Sequence, residues 1–160
     1  MALQVAVSGP RHCTDDDEHN ARSIGRLLAR RGAVVLCGGG NQGVMKAVAA
    51  GVREADGLCV GILPNDSRQG SSPDLSIHIM TNAGEARNAF LVWSADALIV
   101  VGGSWGTLSE LALGMRKGDV PVIQVGGWEL RDERGEEVAG IHRAGGAEEA
   151  VQLAVELAGS

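Results

Sequence analysis

Six short runs rich in Val, Ile and Leu alternate with longer segments of helical apolar spacing along the 160 residues. The runs fall at 3–7, 33–37, 58–63, 76–80, 97–101 and 120–125, and most are apolar at consecutive positions. A strand apolar on both faces needs cover on both faces, which a parallel sheet between helices supplies. The pattern predicts a three-layer α/β/α architecture with a mostly parallel sheet of about six or seven strands. No composition shift or linker divides the chain, so 1–160 reads as one domain.

The intervening segments carry helix start and stop signals. Thr14 precedes Asp15-Asp16-Asp17-Glu18, an N-cap followed by acids suited to the positive end of a helix dipole. Ala21, Ile24 and Leu28 give that helix an apolar face, and Arg30-Arg31-Gly32 ends it. A small-residue helix is expected over 43–55, and others near 85–95, after 106 and over 147–158. The polar, turn-rich stretch 64–73 reads as a mobile loop at a strand end. The charged, glycine-rich stretch 126–145 reads as a hairpin or an excursion.

Two glycine loops follow buried strands. Gly38-Gly39-Gly40-Asn41-Gln42-Gly43-Val44-Met45 comes after the second strand, and Gly102-Gly103-Ser104-Trp105-Gly106-Thr107-Leu108 after the fifth. Both open helices. A helix N-terminus offers unpaired N–H groups and partial positive charge, and glycines let the backbone approach an anion. Gly39, Gly40, Asn41, Gly43, Gly102, Gly103, Ser104, Gly106 and Thr107 are therefore candidate phosphate-binding residues. Ser8, Gly9 and Arg11 after the first strand, together with Asn88, are candidate ligand contacts. The bland alternative is that these glycines only make tight turns. Gly38-x-Gly40-x-x-Gly43 also spells the dinucleotide fingerprint, but it follows the second strand, and Asp66 is a weak match to the expected acid. The Walker lysine motif is absent.

Composition removes other classes. A net charge of −6 argues against binding nucleic-acid polymers, and Phe90, Trp93, Trp105 and Trp128 are too few for a stacking platform. No apolar run is long enough to cross a membrane, and MALQVAVSGP has no secretory-signal pattern. Cys13, Cys37 and Cys59 are odd in number and widely spaced, which suits reduced thiols in the cytoplasm better than disulfides. His12 follows the first strand and could enter a site there. No metal site is expected from it or from His19, His78 and His142.

The blocks GGGNQGVMKAVAAG, then Ala86-Arg87-Asn88, then SADALIVVGGSWGTLSELALG resemble the Rossmann-like superfamily that carries the lysine decarboxylase label and includes the LONELY GUY phosphoribohydrolases. The resemblance covers about residues 3–125, and the short chain is most similar to the compact branch of molybdenum cofactor carrier-like proteins. No lysine sits in a recognisable pyridoxal-phosphate site. The resemblance implies a bound nucleoside monophosphate or molybdenum cofactor as ligand, no required cofactor, and a homo-oligomer built on dimers. In the enzyme branch a glutamate and an arginine are catalytic, and they match Glu110 and Arg87. The enzymes' P-G-G-x-G-T-x-x-E signature is altered, with Val101 in place of its proline and one extra residue before Gly106-Thr107.

Two readings of Glu110 stay open on sequence alone. Thr107-Leu108-Ser109-Glu110 forms a T-x-x-E capping box, in which Glu110 would only stabilise its helix. Alternatively, its carboxylate faces a ligand and stabilises an oxocarbenium-like transition state or activates water. Arg87 is either a surface or salt-bridged arginine, or it binds phosphate or orients Glu110.

Overall fold

A computed structural model describes residues 1–160. Seven strands form one sheet in the order β4-β3-β2-β1-β5-β6-β7, and every neighbouring pair is parallel. The strands are β1 (Gln4–Ser8), β2 (Val34–Cys37), β3 (Leu58–Leu63), β4 (Ile77–Met80), β5 (Ala97–Val101), β6 (Val122–Val125) and β7 (Ile141–Ala144). Five α-helices connect them: α1 (Asp15–Arg30), α2 (Gly43–Glu54), α3 (Arg87–Trp93), α4 (Trp105–Lys117) and α5 (Ala147–Ala158). The three-layer, parallel expectation holds.

Alternating residues feed two cores. Val5, Val7, Ile99 and Val101 face the larger core under α1, α2 and α5. Ala6, Leu98 and Val100 face the smaller one under α3 and α4. Each fully buried Val, Leu or Ile contributes about 1.5–3 kcal/mol relative to exposure, so the central strands are the stable part of the molecule.

Thr14 caps α1 as expected. Its hydroxyl accepts from the Asp17 amide at 3.1 Å, and the Asp17 carboxylate accepts from the Thr14 amide at 3.2 Å. At the other end of the molecule, Gly118 takes a left-handed conformation with φ +81° and stops α4. The α1–α2 crossing is tight because Gly25 and Gly51 lie on it. A Cβ on Gly51 would collide with the carbonyl oxygen of Arg22, and one on Gly25 with that of Val48.

The structure sharpens three expectations. The helix expected near 85–95 begins as a 3-10 turn at Gly84–Ala86 and becomes α-helical only over Arg87–Trp93. The stretch 126–145 forms the expected hairpin, closed by the antiparallel Arg131–Glu137 bridge, and then adds β7, an edge strand whose Ile-His-Arg-Ala sequence is too polar to stand out. Residues 64–73, expected as a loop at a strand end, make two main-chain hydrogen bonds to the first glycine loop. The Asn41 amide donates to Gly70 O at 3.2 Å, and the Ser72 amide to Gly39 O at 2.9 Å. No helix is long and apolar enough to cross a membrane.

Candidate functional site

From β1 the chain moves outward through β2, β3 and β4, then returns to pair β5 with the other side of β1. The neighbouring βα connections therefore diverge between β1 and β5 and leave a crevice at the strands' carboxyl ends, where open α/β sheets bind ligands. Ser8 ends β1, Gly38 follows β2, and the N-terminus of α4 follows β5. These elements enclose a cavity of 310 Å³ that also takes in Gly9, Arg11, Glu85, Arg87, Asn88, Ser104, Gly106, Thr107 and Glu110.

Glu110 decides the character of this cavity. It is only 8% exposed, and the Ser8 hydroxyl donates a hydrogen bond to its Oε2. Burial pushes its carboxyl up to about 7, while the Arg87 guanidinium pulls the other way. Glu110 is not a cap. The N-cap of α4 is Ser104, whose hydroxyl accepts from the Thr107 amide at 3.2 Å. The helix starts earlier than expected because Ser104 stands extended directly after the Gly102-Gly103 turn, so Thr107 is already inside the first turn. The capping-box reading is thereby overturned.

Arg87 is not a surface or salt-bridged arginine either. Its Nη1 donates to Ile62 O at 2.7 Å and to Gly38 O, so it spans the carboxyl ends of β3 and β2. Its Nε is buried without a partner. Burial works against the arginine's charge, and Glu110 favours it. A side chain at Gly38 would crowd this contact, since a Cβ there would sit 2.8 Å from Arg87 Nη1. Asn88, buried beside it, places Nδ2 3.5 Å from Ser109 Oγ.

The first glycine loop borders a second, adjoining cavity of 440 Å³. Gly39, Gly40 and Asn41 line it, with Arg11, Gly38, Met45, Pro64 and Arg87 common to both cavities. Other expected residues go elsewhere. Gly43 lines neither cavity; it packs its backbone against Pro10 and Arg11, and the next amide, Val44 N, donates to Pro10 O at 3.1 Å. Gly102 and Gly103 also line neither. The Gly102 amide is spent on Val125 O at 3.0 Å, and Trp128 covers Gly103, 2.6 Å from where a Cβ would sit. Gln124 holds the Trp128 carbonyl through Nε2 at 2.7 Å. The two loops are thus unequal, and after β5 only Ser104, Gly106 and Thr107 reach the crevice. The amides of Ser104 and Gly106 make no hydrogen bond within the chain. His12 does not line the crevice.

Sequence reasoning missed Gln42, Asn65, Ser67, Gln69 and Ser71 in the second cavity and Glu85 in the first. The available signal was the polar run directly after the carboxyl end of the third strand.

The fold and crevice define an open, doubly wound α/β protein with a ligand-sized cleft at its switch point. The chain belongs to the SLOG cluster4 family, whose profile matches residues 2–152, and its relatives fit the LONELY GUY-like superfamily with a molybdenum cofactor carrier-like branch. The molybdenum cofactor binding protein of Rippkaea orientalis is 34% identical, with 98% of each chain covered and a TM-score of 0.89. The molybdenum cofactor carrier protein of Chlamydomonas reinhardtii is 28% identical, with 99% of each chain covered and a TM-score of 0.84. The cytokinin riboside 5′-monophosphate phosphoribohydrolase of Mycobacterium tuberculosis is 32% identical over 68% of this chain, and the match spans 62% of that enzyme.

Proposed function

We propose that this protein binds a small phosphorylated ligand, a nucleotide or a pterin-type molecule such as the molybdenum cofactor, in the crevice between β1 and β5. The observation that carries this reading is the convergence of two arginines, Arg11 and Arg87, with the unbonded amides of Ser104 and Gly106 on one cavity. Charged and backbone N–H donors directed at a dianion contribute about 1.5–3 kcal/mol each. Likeness to the cofactor-binding protein of Rippkaea orientalis along the whole chain supports the pterin-type class.

Glu110 favours a second reading, hydrolysis of a nucleoside 5′-monophosphate. A carboxyl group that titrates near neutrality suits proton transfer at physiological pH. Water would add to C1′ as the N-glycosidic bond breaks, with Glu110 taking the water's proton; the base would leave with the bonding pair and take a proton from solvent, and Glu110 would return its proton to solvent. Arg87 would hold the phosphate. Incubation with AMP, followed by chromatography for free adenine, separates the readings. Saturable AMP binding without adenine identifies a binding protein. Adenine release that Glu110→Ala abolishes identifies the enzyme.

We further propose a homo-oligomer that covers the α3 side of the sheet. Ile77 and Ile79 pair in register with Val60 and Ile62 of the smaller core, yet stand 48% and 45% exposed. Phe90 and Trp93 on α3 are also exposed. A second copy laid over this face would bury all four. Light scattering is expected to report at least a dimer, with Trp93→Glu shifting it toward monomer; a monomeric wild type would overturn the assembly.

A further inference from the structure

Both arginines of the crevice stand on the wall that its two cavities share. Arg87 is fixed there by the carbonyls of Gly38 and Ile62, and its buried Nε still lacks a partner. Arg11, also common to both cavities, forms no ion pair within the chain. The two chambers differ in chemistry. The 310 Å³ chamber holds the carboxyl groups Glu85 and Glu110. The 440 Å³ chamber holds no acid and is lined instead by neutral groups such as Asn41, Asn65, Ser67 and Gln69. In it the amides of Gly40 and Gln42 are unbonded. Each chamber alone reaches the lower range of ordinary small-molecule sites, about 300–1,000 Å³.

We infer that the crevice is a two-chamber site for a ligand in which a diphosphate joins two ring-bearing halves. The diphosphate lies at the waist against Arg11 and Arg87, where two adjacent cations match its charge. One ring and sugar occupy the chamber of Ser8, Asn88 and Glu110. The other ring occupies the neutral chamber, where amide and hydroxyl side chains hydrogen-bond its edge without imposing a charge. This inference rests on reading the crevice as a phosphorylated-ligand site, and it adds the ligand's second half.

A mononucleotide fills one chamber and leaves the other to water. A linked pair gains the second set of contacts without a second loss of translational freedom, so its affinity exceeds that of either half by a large factor. The number of ring-bearing ends should therefore set the affinity.

Titration calorimetry on the wild-type protein with AMP, ADP and diadenosine 5′,5′-diphosphate tests this. The dinucleoside diphosphate is expected to bind at least about 50-fold more tightly than AMP, with ADP between them. Ser67→Trp, an exposed substitution that narrows only the neutral chamber, is expected to cost the dinucleoside ligand at least about tenfold more than AMP. Equal affinity for AMP and the dinucleoside ligand would overturn the two-chamber site and leave mononucleotide binding standing. Equal affinity for ADP and the dinucleoside ligand would overturn it too, because the second ring would then contribute nothing. Failure of all three to bind would overturn the two-chamber site together with the nucleotide form of the phosphorylated-ligand reading.

Discussion

Gly51→Ala is expected to destabilise the protein by about 1–2 kcal/mol, against the direction that helix propensity alone dictates. In an exposed helix interior the change from glycine to alanine gains about 1 kcal/mol. Here Gly51 lies where α2 crosses α1, and a Cβ would collide with the carbonyl oxygen of Arg22. That obstacle is backbone, so it cannot rotate away as a side chain would. The helices must separate, and the separation spreads into Ala21, Ile24, Ala47 and Val48, all buried in the larger core. Overpacking of this kind costs about 1–3 kcal/mol and sometimes more. Equilibrium urea denaturation of both proteins at neutral pH measures the difference. A variant as stable as wild type, or more so, would show that α1 and α2 are not in close contact at this point.

Glu110→Gln should act in the opposite sense on stability and slow any hydrolysis. In the unfolded chain the Glu110 carboxyl titrates near 4.5, and burial raises it to about 7 in the folded protein. Between those values the folded state holds a proton that the unfolded state has released, so stability falls as pH rises through the window. The loss is complete above pH 7 and amounts to at most roughly 3 kcal/mol. Glutamine is neutral at every pH and still accepts from the Ser8 hydroxyl. The variant is therefore expected to be more stable than wild type at pH 8 by up to that amount, with the gain vanishing near pH 4.5. Thermal denaturation across this range measures it. A gain of similar size at both ends would remove proton linkage as the cause. If the protein hydrolyses AMP, the same substitution should slow release of adenine by about 10²–10⁴-fold.

The elements legible in the sequence were those defined by local rules. Thr14 and Gly118 mark their helix ends through caps, and the central strands announce themselves by consecutive apolar residues. β7 was hidden because it is only four residues long, and His142 and Arg143 break its apolar run between Ile141 and Ala144. The site was legible by region more than by role. Ser8, Arg11, Arg87, Asn88 and Glu110 were all nominated, and the structure brings them to one cavity. The role of Glu110 depended on Ser8, 102 positions away in sequence, whereas the capping pattern is complete within four residues. The second glycine pair looked like a cradle because sequence cannot show that Trp128 lies over Gly103. The neutral chamber escaped notice because a polar, turn-rich run looks the same whether it hangs in solvent or forms a wall.

That wall has an evolutionary corollary. Its position is set by main-chain hydrogen bonds from Asn41 to Gly70 and from Ser72 to Gly39, which do not depend on the side chains at 65, 67 and 69. Positions 65 and 69 can change without moving the frame that carries them, whereas the Ser67 hydroxyl accepts from the Gln69 amide at 3.4 Å within the loop. Relatives with this backbone could diverge in what they accept by exchanging a few polar side chains there, while the arginines and Glu110 keep the rest of the crevice constant.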